Sequence, residues 1–229
     1  MKKQLCLTAD LGGTNTRVAL FDNEKLLENS CVTYSNNEYD SFETIIRNYL
    51  DLVSESSVKF AGIAAAGPIL EKSAKMTNLS WSLTERSIAS ITGAEQVGII
   101  NDLQAQGYGL TSLDQTDLEP ITVGSQCANS NATKLVCGIG TGFNAAPVFN
   151  VGDKIFVPPS EAGHSQLSLT DKSHQPVFAK IGSEGSFVSV EDILSGRGLE
   201  NVGRALTGND ETAAQIMQKA SQGDENSKK

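Results

Sequence analysis

Residues 9–17 read ADLGGTNTR, with alternating apolar positions Leu5, Leu7 and Ala9 before them and the run Val18–Phe21 after them. The pattern predicts strand, glycine turn, strand. Gly12 and Gly13 can take the positive φ of a tight reversal, and they place no Cβ in front of the backbone N–H groups. Successive N–H groups of this kind make an anion-sized nest. Thr14 adds a hydroxyl donor. A carboxylate as near a bound phosphate as Asp10 needs a divalent cation between the two. The stretch Ala9, Asp10, Leu11, Gly12, Gly13, Thr14 is therefore expected to hold nucleotide phosphate, with Asp10 as a magnesium ligand. The plainer reading is an ordinary hairpin with a Gly-Gly turn.

A second candidate follows the buried run Gln96–Ile100, where Asn101 and Asp102 stand at the carboxyl end of a predicted strand and the helix LQAQGYGL begins. Ligands of open α/β sheets bind beyond the carboxyl ends of strands. Asn101 offers a donor and an acceptor, and Asp102 offers a base; a plain helix N-cap is the competing reading of Asp102. Further on, Gly138, Gly140 and Gly142 suggest a dinucleotide fingerprint. That fingerprint requires a helix after the glycines, whereas Phe143–Phe149 reads as a strand. Gly140, Thr141 and Gly142 are thus expected at the tip of a second glycine hairpin. Two such hairpins suggest a duplicated fold with ATP held between its halves.

Three other positions carry polar chemistry. Glu161 and His164 flank a glycine turn, in a pattern suited to binding hydroxyls. No Cys or His cluster accompanies His164, so a metal site there is not expected. His174 is given no role. Glu191 is expected in the first turn of a helix opening at Ser189, where the helix dipole favours a carboxylate in any case. Asn78, in the loop Met76–Trp81, is either a turn residue or a hydrogen-bonding group on a substrate lid.

The elements that must position these residues follow from composition and periodicity. The 229 residues are 39% hydrophobic and 20% charged, which is ordinary globular composition. A net charge of −9 argues against nucleic acid and against anionic membrane surfaces as partners. Cys6, Cys31, Cys127 and Cys137 form no C-x-x-C pair and read as reduced, buried thiols. The apolar run after Lys2 and Lys3 is too short for a signal peptide and ends at Asp10. No stretch is as long as a membrane span, so the cytoplasm is the expected address. Leu26–Ser35 reads as a third strand. A helix is expected from Asp40, with Glu43 completing a capping box and with Phe42, Ile45, Ile46, Tyr49, Leu50 and Val53 on its apolar face. Val58–Ala66 is a buried strand, and Ser82 and Glu85 cap a short helix ending at Gly93. The polar stretch Leu113–Thr133 divides residues 1–112, a small α/β domain, from residues 113–229. Helices are expected over Asn201–Leu206 and Glu211–Ala220, the latter with a stripe of Ala213, Ile216, Met217 and Ala220.

Taken together, DLGGTNTR from Asp10, MTNLSW from Met76, IINDLQAQ from Ile99, GIGTGF from Gly138, EAGH from Glu161 and EDILSGRGLEN from Glu191 resemble the bacterial glucokinase family. The resemblance implies a two-domain hexokinase/actin-like (ribonuclease H-like) α/β fold with mixed sheets flanked by helices. It implies ATP phosphate on Ala9–Thr14, Asp102 as catalytic base, and Asn101, Asp102, Glu161, His164 and Glu191 around the hydroxyls of glucose. The expected reaction is the ATP- and Mg²⁺-dependent phosphorylation of glucose to glucose 6-phosphate. A kinase for another hexose and a catalytically impaired sugar-binding protein or fragment are the alternatives, and a homodimer is left open. Three departures stand out. Asn144 replaces the glycine that usually ends the second phosphate turn, and as an Asn it tolerates left-handed φ. The zinc motif of related repressor-type sugar kinases is absent. The second domain reads as incomplete at its C-terminal side, without the adenosine-binding turn and closing helix of family members.

Overall fold

The computed structural model describes residues 4–55, 57–76, 79–121, 132–168, 171–182 and 187–223. The chain divides into two compact units, Met1–Gln106 and Gly107–Lys229.

The first unit begins with β1 (Leu5–Leu11), which returns antiparallel as β2 (Asn15–Asp22). On β1 the buried residues Leu5, Leu7, Ala9 and Leu11 alternate with the less buried Cys6, Thr8 and Asp10, the period-two pattern of a strand with one face on a core. The expected third strand is broken in two, β3 (Lys25–Leu26) and β4 (Val32–Ser35), both pairing with β2. Asn29 between them takes a left-handed φ of 57°, which no strand accommodates. Helix α1 (Phe42–Leu52) is capped by Ser41, whose Oγ accepts from the Thr44 amide, so the cap lies one residue beyond the expected Asp40. Its buried face of Phe42, Ile45, Ile46, Tyr49 and Leu50 joins the β1 leucines in one core. The Tyr49 hydroxyl donates to the Ser30 carbonyl at 2.6 Å.

Strand β5 (Phe60–Ala65) runs parallel to β1. A small antiparallel sheet of β6 (Ile69–Leu70), β7 (Ser73–Lys75) and β8 (Ser82–Thr84) follows. Helix α2 (Glu85–Thr92) is capped by Thr84 with Ser87 in a reciprocal box, rather than by Ser82 and Glu85, and it ends on left-handed Gly93. Strand β9 (Gln96–Asn101) pairs parallel to β5, and α3 (Asp102–Gly109) follows it directly. The sheet order is β3-β2-β1-β5-β9. The register aligns Leu11 with Ala65 and Ala65 with Asn101, so the carboxyl ends of three parallel strands finish flush.

In the second unit, β10 (Lys134–Ile139), β11 (Phe143–Val151) and β12 (Lys154–Phe156) form an antiparallel sheet, which includes the expected second hairpin. Helix α4 (Gln175–Ile181) precedes α5 (Gly196–Thr207), and α6 (Ala213–Ser221) follows. Helix α5 absorbs the expected Asn201–Leu206 segment and starts at cap Ser195, not at Ser189. Of the α6 stripe Ile216 is buried, whereas Met217 is 60% exposed. Cys31 and Cys137 are exposed, against the expectation of buried thiols, and Cys127 lies outside the described residues.

Candidate active site

In the first unit the flush strand ends bring Asp10, Asn101 and Asp102 to one edge of the sheet. Asp10 stands level with Ala64, and Ala64 with Ile100. Asp10 is exposed and Asp102 half-buried. Burial pushes the Asp102 carboxyl above its ordinary value, and the negative charge of Asp10 pushes it in the same direction; the Leu103 N–H, which donates to Asp102 Oδ1 at 2.8 Å, opposes them. A carboxylate whose proton affinity is raised by its surroundings is suited to act as a base. Asn101 holds the strand end in place. Its Nδ2 donates to the Gly67 carbonyl at 3.3 Å, and its Oδ1 accepts from Leu103 N–H at 3.0 Å. Gly67 sits at φ 144°, and a Cβ there would meet the Lys75 carbonyl at 3.0 Å, so this backbone corner beside Asn101 is reserved for glycine.

The first hairpin is made differently from the expectation. Neither Gly12 nor Gly13 has a positive φ. Gly12 is required by close approach instead, since its N–H donates to the Asn15 carbonyl at 3.0 Å and a Cβ would lie 3.1 Å from that oxygen. Among the described residues no hydrogen bond engages the N–H groups of Gly13 and Thr14, so these two amides, not that of Gly12, are open to an anion. Ala9 and Leu11 lie within the ladder with buried side chains. One residue of this site had not stood out in the sequence. Asn36, 2% exposed, donates from Nδ2 to the Gly12 carbonyl at 2.9 Å and accepts the Thr16 hydroxyl on Oδ1 at 2.7 Å. Its signal in the sequence was only a polar Asn-Asn pair.

In the second unit Gly140–Gly142, Glu161, His164 and Glu191 belong to one hydrogen-bonded assembly. Gly140 N–H donates to the Gly142 carbonyl at 2.9 Å across the turn, and Gly196 N–H, at the start of α5, donates to the Gly140 carbonyl at 2.7 Å. Glu191 is not in a helical first turn. It sits in the turn ahead of α5, where Oε2 accepts from Phe143 N–H at 2.9 Å and Oε1 pairs with Arg197 at 2.7 Å. Glu191 N–H donates to the Gly163 carbonyl at 2.9 Å. Asn144 lies within β11 without left-handed φ. Its side chain accepts from Ala162 N–H at 3.0 Å and donates to the Ser160 carbonyl at 2.5 Å, tying the hairpin to the turn that carries Glu161 and His164. Both of those side chains are exposed. Asn78 lies outside the described residues.

No group of three or more His, Cys, Asp or Glu among the described residues could hold a metal ion. Magnesium keeps several waters and takes only one or two carboxylates. Asp10, an exposed carboxylate near the end of β1, fits that requirement as a single ligand. No helix among the described residues is long and apolar enough to cross a membrane.

Comparison with known proteins defines the class first. The crystal structure of a glucokinase from an Antarctic psychrotroph superimposes with a TM-score of 0.83 at 29% identity, covering 98% of this chain and 73% of that one. The ROK hexokinase of Thermus thermophilus, at 17% identity, shares the fold with a TM-score of 0.69, over 98% of this chain and 71% of its own. The fold is therefore the hexokinase/actin-like one. Residues 7–228 match the Glucokinase family, and the chain belongs to that family. A glucokinase of Psychromonas ingrahamii is 32% identical over 215 residues, 94% of this chain. The chain spans 66% of that relative's length.

Proposed function

We propose that this protein phosphorylates D-glucose at its 6-hydroxyl with ATP, giving glucose 6-phosphate and ADP, and that Asp102 is the general base. The observation that carries the reading is the raised proton affinity of Asp102 at the carboxyl edge of a sheet shared with Asp10 and the glycine hairpin, in a chain of the glucokinase family. In the reaction Asp102 accepts the hydroxyl proton as the hydroxyl oxygen bonds to the γ-phosphorus, and the bond to the β,γ-bridging oxygen breaks to release ADP. Phosphoryl transfer of this kind has a loose transition state, so catalysis is mostly positioning and charge neutralisation. The Gly13 and Thr14 amides, the Thr14 hydroxyl and the Gly140–Gly142 turn take the phosphates. Asp10 would hold Mg²⁺ through water, and the ion would supply charge neutralisation on the phosphate oxygens. Glu161, His164, Glu191 and Asn101 bind sugar hydroxyls, with Asn78 as a further contact. The protein acts in the cytoplasm on small-molecule substrates.

The test is a coupled ADP-release assay over a panel of hexoses and amino sugars. Glucose is expected to give the highest kcat/KM, with deoxy and epimeric analogues strongly discriminated against, because polar groups that a bound sugar covers are costly to leave without a hydroxyl partner. Sugar binding by calorimetry with no ADP release would instead identify a sugar-binding protein. Equal kcat/KM for glucose and 2-deoxyglucose would count against the assigned sugar contacts.

A further inference from the structure

We infer that Asn36 is a positioning residue for nucleotide phosphate, an assignment that rests on the proposed kinase reading. The residue opens a 3-10 turn, Asn36–Glu38, after β4 has paired with β2. Three of its groups meet the first hairpin from behind. Nδ2 donates to the Gly12 carbonyl, Oδ1 accepts the Thr16 hydroxyl, and its backbone N–H donates to the Thr14 carbonyl at 2.9 Å. Thr16 is itself fully buried. The bonds fall on Gly12, Thr14 and Thr16, which bracket the two amides of Gly13 and Thr14 that no described residue engages. A peptide unit whose carbonyl is held in one direction has its N–H set in the opposite one. By fixing the carbonyls of Gly12 and Thr14, Asn36 therefore sets the direction of the Gly13 N–H and stiffens the turn around that of Thr14.

Burying an amide this completely is costly unless its polar atoms are partnered, and here the Nδ2 and Oδ1 contacts both lie on the hairpin. Within Gly12–Thr14 the described hydrogen bonds are the Gly12 N–H bond to the Asn15 carbonyl and the two that Asn36 donates to the Gly12 and Thr14 carbonyls, so Asn36 supplies most of the turn's hydrogen-bonded support. Pre-setting donors toward an anion lowers the cost of ordering them on binding.

The test compares the parent with Asn36→Ala, Asn36→Asp and Thr16→Val. MgADP and glucose affinities are measured by calorimetry, the KM values for ATP and glucose by ADP release, and hydrogen exchange over residues 11–16 by mass spectrometry. Asn36→Ala is expected to weaken MgADP and raise the ATP KM by about tenfold, the scale of one or two lost hydrogen bonds. Glucose affinity stays within about twofold, since the sugar groups share no partner with Asn36. Asn36→Asp loses the donor and adds a negative charge beside the nest, so it weakens nucleotide binding more than Ala. Thr16→Val, which keeps Asn36 but removes its orienting hydroxyl, shifts both measures in the same direction to a smaller degree, and it decides the matter if Asn36→Ala does not fold. Faster exchange over 11–16 accompanies each loss. Nucleotide affinity within twofold of the parent in the variant that folds, or equal losses for nucleotide and glucose, overturns the assignment. Calorimetry with MgADP reads the inference even if the parent phosphorylates no glucose, so the two readings fail separately.

Discussion

Three glycines in the second unit form a graded test of the assembly around Glu191. A Cβ added at Gly140 meets nothing within 4 Å; at Gly142 it lies 2.6 Å from Glu191 Oε2; at Gly163 it lies 2.0 Å from the Phe143 carbonyl oxygen. None of the three has a positive φ, so contact alone separates them. Gly140→Ala is expected to leave stability unchanged or raise it by about 0.4–1 kcal/mol through the unfolded chain. Gly142→Ala drives the Glu191 carboxylate off the Phe143 N–H. A hydrogen bond to a charged group is worth about 1.5–3 kcal/mol, and the alanine offsets part of this, leaving a net loss of about 1–2 kcal/mol. In a chain of this size that is a fall in Tm of about 3–6 °C. Gly163→Ala opposes a side chain to backbone on a paired strand, which cannot swing aside, and costs about 3 kcal/mol or more. Urea denaturation followed by circular dichroism gives the order directly. If Gly142→Ala costs as much as Gly163→Ala, or Gly140→Ala costs more than either, the described packing of this turn is wrong.

Burial and the charge of Asp10 hold the Asp102 carboxyl above its ordinary value, so kcat/KM for glucose falls as pH drops through that raised value, on the acid limb that reports the free base. Asp10→Asn removes one cause and is expected to move the Asp102 titration, followed by carboxyl NMR, to lower pH; an unmoved titration contradicts the assigned repulsion. The same shift bears on stability. A carboxyl raised on folding binds more protons in the native state, so its destabilising effect is present at neutral pH and is relieved as pH falls through the folded value toward the unfolded one. Asp102→Asn is therefore expected to be more stable than the parent at neutral pH, with the gap closing on acidification. Tyr49→Phe leaves the Ser30 carbonyl without its 2.6 Å donor and should cost about 1–3 kcal/mol; burial already pushes this phenol up to about 12. A denaturation midpoint equal to the parent's would remove that bond from the account.

Much of the first unit was legible because its signals are local. The alternation of β1, the apolar face of α1 and the buried run of β9 depend on side-chain period, and the Asn101-Asp102 pair follows its strand without a break. What escaped was set by contacts distant in sequence. Asn36 gains its meaning from Gly12 and Thr16, more than 19 positions earlier, to which β4 delivers it. Ser189 does cap a turn, its Oγ accepting from Asp192 N–H while its own N–H donates to the Asp192 carboxylate, but that turn, which carries Glu191, ends before α5 begins at its own cap, Ser195. The start of α5 is set by packing: a Cβ at Gly198 would lie 2.5 Å from the Ile193 carbonyl carbon, so the preceding turn closes on the helix and Ser195 becomes the cap. The third strand broke at Asn29 because a left-handed residue outweighs the β propensity around it.

The proposed base is one carboxylate, that of Asp102. Asp102→Asn keeps the size and the acceptor for Leu103 N–H but removes the base, which typically supplies about 10²- to 10⁴-fold, equivalent to about 3–5 kcal/mol of barrier. Glucose titration by calorimetry alongside single-turnover ADP release on the same preparation tests it most directly. Near-parental glucose affinity is expected, with turnover lowered by about 10²-fold or more; a variant that binds glucose and keeps near-parental turnover contradicts the assignment of Asp102 as base.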